Sequence, residues 1–306
     1  MTDSRQLNAA LAGNYLLVLP EIRSWSGSKT DREASDEMLA LKGASRDAGK
    51  FVGYLLASSD TELKAVQNKA AAVRAFVYAR TLPWSGVSDG AKRGPRLLAA
   101  VNSLDFLSEL NKLKQEYDAA VQSLVAVWPQ RVVSAIQARG ALAAAEDYPD
   151  ATEIAGYFGI HIDIRPVPAI SDFTRLNVPA ELAEALGAHL ASQAETQLNG
   201  AMDDLKGRIL AELQRVAAQL GKAGRQEKTR LYDTLVSNMQ TLVTLARSMN
   251  VTGNPALNEL ADRIDIELLS RPVEAYRNSP TLAAETADAA QKIAVAAAID
   301  DIWKAV

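Results

Sequence analysis

The stretch WSGSKTDRE, Trp25 to Glu33, contains Gly27, Ser28, Lys29 and Thr30, the residue types that close a phosphate-binding loop. Such a loop needs G-x-x-x-x-G-K-[ST] after a buried strand. Its backbone amides then turn inward around the phosphates, and the lysine meets their charge. Here Arg23 stands where the first glycine is required and Ser28 where the second is. The same residues suit a helix start better. Thr30 as N-cap with Glu33 three residues on forms a capping box, and Asp31 and Glu33 complement the helix dipole. Lys29 is not needed for that cap, so it is a candidate contact residue. Trp25 is expected to anchor the corner in the core.

Other constellations are sparser. His161 and Asp163 share one face of an expected strand at a spacing that metal sites use, but a site needs at least one more ligand, and the other histidine, His189, lies in a helical segment. Glu33 and Glu37 share a helix face and Asp203-Asp204 are adjacent, as on many surface helices. No G-x-S-x-G, H-E-x-x-H or G-x-G-x-x-G occurs. The absence of cysteine removes disulfide frameworks, thiolate nucleophiles and iron–sulfur clusters together. No enzyme, no metal and no cofactor is expected.

Two basic clusters remain. Arg74, Arg80, Lys92, Arg93 and Arg96 surround the Gly-rich segment Leu82 to Pro95, which also holds Trp84. Lys206, Arg208, Arg215, Lys222, Arg225, Lys228 and Arg230 crowd the end of an expected hairpin, against Glu212 and Glu227. Such loops can track phosphates, with Tyr78, Trp84 and Tyr232 available to stack bases. A charged hairpin tip is also commonly just a solvated surface.

The elements that must position these residues are mostly helical. YLLVLPEIRSW (15–25) reads as a strand, with Pro20 placing it at an edge or a bulge. Apolar spacing predicts helices over Thr30–Leu56, Thr61–Tyr78 and Arg96–Val127, with Pro129 breaking the last or starting a new helix to about Ala144. A short helix approaches Phe158. Ile160, Ile162 and Ile164 then alternate with His161, Asp163 and Arg165, a strand signal, and residues near 162 are expected to pair with residues near 17. Beyond Pro179, leucines recur at helical spacing to Leu220. They predict one helix of about forty residues, roughly 60 Å long. A turn at Gly221–Gly224, a return helix over Glu227–Met249 and helices over Asn258–Leu269 and Thr281–Val306 complete the chain. The expected fold is mainly α, a helical bundle with a long helical hairpin and a small two-stranded β element, divided into residues 1–172 and 173–306.

Of the 306 residues, 48% are hydrophobic but only 6% aromatic, so Ala, Leu and Val must supply the core. A net charge of −4 argues against a globally basic nucleic-acid binder. No stretch approaches the roughly 18 apolar residues of a membrane span, and the N-terminus lacks the order of a signal peptide, so a soluble, intracellular chain with no membrane contact is expected.

LLVLPEIRSWSGSK, YARTLPWSG, DYPDATEIAGYFGIHIDIRPVPAISDF and YDTLVSNMQTLVTL together resemble an uncharacterised family of tailed bacteriophages and some bacteria. Its pattern is matched by Trp25, Ser26 and Lys29, by Thr81, Leu82, Pro83 and Trp84, and by Asp147, Tyr148, Pro149, Phe158, Pro166, Val167, Pro168, Asp172 and Phe173. The resemblance implies a phage protein of the infected bacterial cytoplasm, encoded near MoxR-type AAA ATPases and von Willebrand factor A proteins, or near replication and recombination genes. Two readings follow. The first is a non-enzymatic protein working by protein–protein contact, as a homo-oligomer through the apolar stripe of the long helix or as an adaptor for an AAA ATPase. The second is a DNA-binding protein of phage replication or recombination that uses the two basic clusters.

Overall fold

Helix propensity dominates: the computed structural model is 70% helix, with ten helices among the described residues and a small antiparallel sheet. The residues described are 4–57, 59–85, 94–173, 179–299 and 302–303. Helix α1 (Ser4–Asn14) buries Leu7 and Leu11 and leads into β1 (Tyr15–Arg23). The next segment corrects the expected helix over Thr30–Leu56. It is a strand β2 (Ser28–Asp31), a helix α2 (Arg32–Leu41) and a strand β3 (Phe51–Tyr54). Thr30, paired with Val52, lies one residue too early to be the N-cap of a helix that starts at Arg32. Asp31 is the N-cap, accepting a 3.0 Å bond from the Ala34 amide. Lys42 ends α2, and Gly43 follows at φ +61°, a left-handed turn that glycine adopts without steric penalty.

Helix α3 (Thr61–Arg80) is capped by Asp60, whose carboxylate accepts from the Leu63 amide at 2.8 Å. Its apolar series Leu63, Val66, Ala70, Val73 and Val77 is buried, as the spacing predicts. β4 (Leu82–Pro83) and β5 (Arg96–Ala99) follow. The expected helix over Arg96–Val127 is corrected at its start: Arg96–Ala99 are four consecutive buried residues paired with β1 throughout and, at Arg96 and Leu97, also with β4. Helix α4 (Ser103–Arg139) then continues without a break through Pro129. The missing N–H removes one ladder bond. The buried face of Tyr117, Leu124, Trp128 and Ala135 holds the helix on either side of it.

β6 (Gly159–Pro166) completes a four-stranded sheet of order β4-β5-β1-β6. β1 and β6 are neighbours, as the two alternating segments suggest, but the sheet has twice the expected strands. The β1–β5 pairing runs from Tyr15↔Ala99 to Val18↔Arg96 and stops before Pro20, which has no N–H to donate.

A short α5 (Ile170–Phe173) precedes α6 (Ala180–Gly224), 45 residues long. Gly221 to Gly224 are its last turn, so the expected turn lies further on. α7 (Thr234–Ser248) starts seven residues later than the expected return helix. α8 (Pro255–Ile264), α9 (Val273–Asn278) and α10 (Pro280–Ala297) follow. α6 packs most extensively against α10. Gly224 allows the approach: a Cβ there would lie 2.8–2.9 Å from Cβ and backbone atoms of Ala284.

Contacts group the chain into two units, neither continuous in sequence. Unit 1 is Met1–Pro20, Val77–Phe106 and Ile162–Val306; unit 2 is Glu21–Phe76 and Leu107–His161. Unit 1 has one core running from Leu7 through Leu205, Ile209 and Leu213 to Ile293 and Trp303. Unit 2 centres on Val66, Val73, Tyr117, Leu124, Trp128 and Ile154. Among the described residues no helix is long and apolar enough to cross a membrane.

Candidate anion-binding groove

The most concentrated polar arrangement in unit 1 forms at the C-terminal end of α3, where a helix leaves carbonyls without intrahelical partners. β5 brings Arg96 there, opposite Pro83 on one side and Val18 on the other. Its side chain is almost sealed, 3% exposed. Nε donates to Thr81 Oγ1 at 2.7 Å and Nη2 to the Thr81 carbonyl at 3.0 Å. Thr81 Oγ1 in turn donates to the Val77 carbonyl at 2.6 Å. The guanidinium lies 4.4 Å from the centre of the Tyr78 ring, a cation–π contact.

From α6, Arg208 Nη1 donates to the Tyr78 carbonyl at 2.6 Å and to the Thr81 carbonyl at 3.3 Å. Its Nη2 is 2.6 Å from Asp204 Oδ2, one helical turn away. That is a charge contact only, because Oδ2 makes no aligned hydrogen bond. Two cations thus neutralise the negative end of α3.

Tyr78, Arg96, Asp204 and Arg208 line a groove of about 610 Å³. Ala79, Pro83, Ala211 and Leu242 supply apolar walls, and α7 adds Asn238 and Thr241. Arg215 also lines it, its Nε bonded to Glu212 Oε2 at 2.8 Å. Burial pulls the Arg96 pKa down to about 10, and the nearby Arg208 charge pushes the same way; Asp204 and Tyr78 oppose both. Arg96 still carries its charge at neutral pH. The groove therefore suits electrostatic capture of an anion rather than proton transfer.

The residues singled out from the sequence separate. Arg74 lies in unit 2 and donates to the Ile22 carbonyl at 3.3 Å. Arg80 lines a smaller cavity of about 290 Å³ with Asp105 and Thr244. Lys92 and Arg93 fall outside the described residues. Trp84 belongs to the buried core of unit 1. At the end of α6, Lys222, Arg225, Lys228 and Arg230 are exposed; Arg225 pairs with Glu227, and Arg230 sits 5.4 Å from the Tyr232 ring. With Arg277 and Pro280, Arg230 and Tyr232 border a second cavity of about 610 Å³.

In unit 2, Lys29 pairs with Asp147, whose carboxylate is 5% exposed and also meets Arg139 at 3.5 Å. The Lys29 hydrogen bond, then its charge and Arg139, hold the Asp147 pKa below the usual carboxylate range. Trp25 is half-buried and meets buried Trp128 edge-on at 5.2 Å. Among the described residues no group of three or more His, Cys, Asp or Glu is placed to hold a metal.

Along the chain Arg96 falls with the loop cluster and Arg208 and Arg215 with the expected hairpin tip, and Thr81 and Asp204 belong to neither. The spacings Asp204–Arg208 (i,i+4) and Glu212–Arg215 (i,i+3) were visible as same-face helix pairs. Their meeting with Arg96 was not. No protein family, curated protein or solved structure gives a significant match to this chain.

Proposed function

We propose that the protein acts by contact and not by catalysis, and that the arginine-floored groove of unit 1 receives a segment of a protein partner. The observation that carries this is the groove itself: a concave site with apolar walls and a few convergent polar groups, one of them a buried arginine with a perturbed pKa. The apolar stripe of α6 does not support homo-oligomerisation, because Leu198, Leu205, Ile209 and Leu213 are buried within unit 1 itself. The resemblance to phage proteins encoded near MoxR-type AAA ATPases makes such an ATPase the first partner to try, in the cytoplasm of an infected bacterium.

A display library of random peptides, panned on the full chain and on Ala211→Trp, tests the proposal. Ala211 is exposed on α6 and lines the groove, so tryptophan fills the site from the outside. Peptides enriched on the parent and lost on the variant are expected. Enrichment of none, or of the same peptides on both, refutes the reading.

The second reading, contact with single-stranded nucleic acid, is favoured by one feature. Tyr232 is 57% exposed beside Arg230, with exposed Lys222 and Lys228 nearby in sequence, a combination suited to stacking a base and meeting its phosphate. A mobility shift that weakens with salt and is lost on Tyr232→Ala supports it; no shift at low salt rejects it.

A further inference from the structure

The Arg96 guanidinium has five N–H donors arranged as two forks. The fork made by Nε and one Nη2 hydrogen is spent on Thr81. The end fork, Nη1 with the second Nη2 hydrogen, has no acceptor among the described residues. It is not sealed in either, since the sealed side-chain polar atoms without a partner there are Ser24 Oγ and Asp204 Oδ2. A buried charge with three of its five donors unmet, lining a groove, is an incomplete site.

Charge and shape narrow what completes it. Among its side chains the groove holds three guanidiniums, Arg96, Arg208 and Arg215, against two carboxylates, Asp204 and Glu212, an excess of at most one positive charge, part of which faces the carbonyl end of α3. A monoanion balances that, whereas a phosphate monoester brings about −1.5 to −2 at neutral pH. A planar fork matches the two oxygens of a carboxylate. The volume of about 610 Å³ far exceeds one carboxylate, and Ala79, Pro83 and Leu242 are suited to the apolar stem that carries it.

We infer that the groove binds a single carboxylate on an apolar stem, anchored by the free end of the Arg96 guanidinium. This rests on the reading of the groove as a recognition site and names the partner's chemistry: an acidic side chain or chain terminus flanked by apolar residues. A free organic acid offers the same group, and the test separates the two sources.

The full-length, 15N-labelled protein is titrated with hexanoate, hexanamide and inorganic phosphate while the Arg96 Nε–H and the amides of β5 and α7 are followed by NMR. Hexanoate is expected to saturate and to move the Arg96 signal. Hexanamide, which keeps the stem but loses the charge-assisted bonds, is expected to bind about tenfold more weakly or worse. Ala211→Trp should abolish binding without disturbing the fold, and Arg96→Gln should weaken it about tenfold where the variant folds. The inference is overturned if hexanamide binds as well as hexanoate, if phosphate binds more tightly, or if hexanoate binds Ala211→Trp like the parent. Peptides from the display experiment are then remade with Asp and Glu replaced by Asn and Gln and with amidated ends. Loss of binding assigns the carboxylate to a protein partner, while indifference to the replacement overturns the carboxylate anchor and leaves protein recognition standing. Hexanoate binding with no peptide selected overturns only the protein-partner reading and assigns the site to a free acid.

Discussion

Thr81→Val removes one hydroxyl at nearly constant volume from a site that is 0% exposed. That hydroxyl accepts from Arg96 Nε at 2.7 Å and donates to the Val77 carbonyl at 2.6 Å. A hydrogen bond to a charged group contributes about 1.5–3 kcal/mol, and a neutral one about 1 kcal/mol. The added methyl returns about 0.8 kcal/mol of apolar burial. The net loss is about 2–3 kcal/mol, roughly a 30- to 150-fold rise in the opening equilibrium of unit 1. Hydrogen exchange of the β5 amides, Leu97 to Ala99, reads that opening locally, which suits a chain of two units better than a single melting curve. Thr81→Ser keeps the oxygen and should recover most of the loss. With Arg96→Met, the double-mutant cycle should show coupling of about 1.5 kcal/mol or more. If Thr81→Val changes β5 protection by less than about 0.5 kcal/mol, or if Thr81→Ser is as damaging as Thr81→Val, the hydroxyl does not hold Arg96 and the account of the groove floor fails.

Two further outcomes follow from unit 2. The Asp147 pKa is depressed in the fold, so its contribution is present above the unfolded value near 4 and is lost as pH falls through the folded one. Lys29→Met should therefore destabilise the protein at pH 7, with the gap to the parent closing as pH drops from about 4 towards 2; urea midpoints across that range measure it, and a gap that does not change with pH removes the assigned role of the Lys29–Asp147 pair. Pro129→Ala should slow hydrogen exchange in α4 by an equivalent of about 1–3 kcal/mol, because the exposed proline sits inside an unbroken helix and withholds one ladder bond; faster exchange would mean that the proline itself sets the course of α4.

Legibility differed by element for physical reasons. α3 and α6 were readable because apolar residues recur at helical spacing over many turns. β6 was readable from strict alternation of Ile160, Ile162 and Ile164 with polar residues. β5 was not: Arg96–Ala99 has no alternation, since a strand buried on both faces reads like the start of a buried helix. β2 and β3 were hidden because Thr30 and Asp31 carry a capping signature whatever precedes them, and Asp31 rather than Thr30 is the cap because β2 runs through both and the helix starts only at Arg32. Pro129 misled because local propensity counts the lost bond but not the buried face that Trp128 and Leu124 share. At the groove, the sequence supplied the cations and their same-face carboxylates, but it grouped Arg96 with Arg74 and Arg80 by proximity along the chain.

The sequence by itself determined the helical content, the faces that seek burial and the exclusion of chemistries that need cysteine. It did so because propensity and periodicity are local properties of the chain. Tertiary structure alone decided which faces meet: α6 against α10 through Gly224 and Ala284, and Arg96 with Thr81 and Arg208 at the end of α3. Hydrophobic burial is non-directional, so a stripe specifies that it will be covered but not by what. The choice falls to close packing and to hydrogen bonds whose partners are brought together only when the chain has folded.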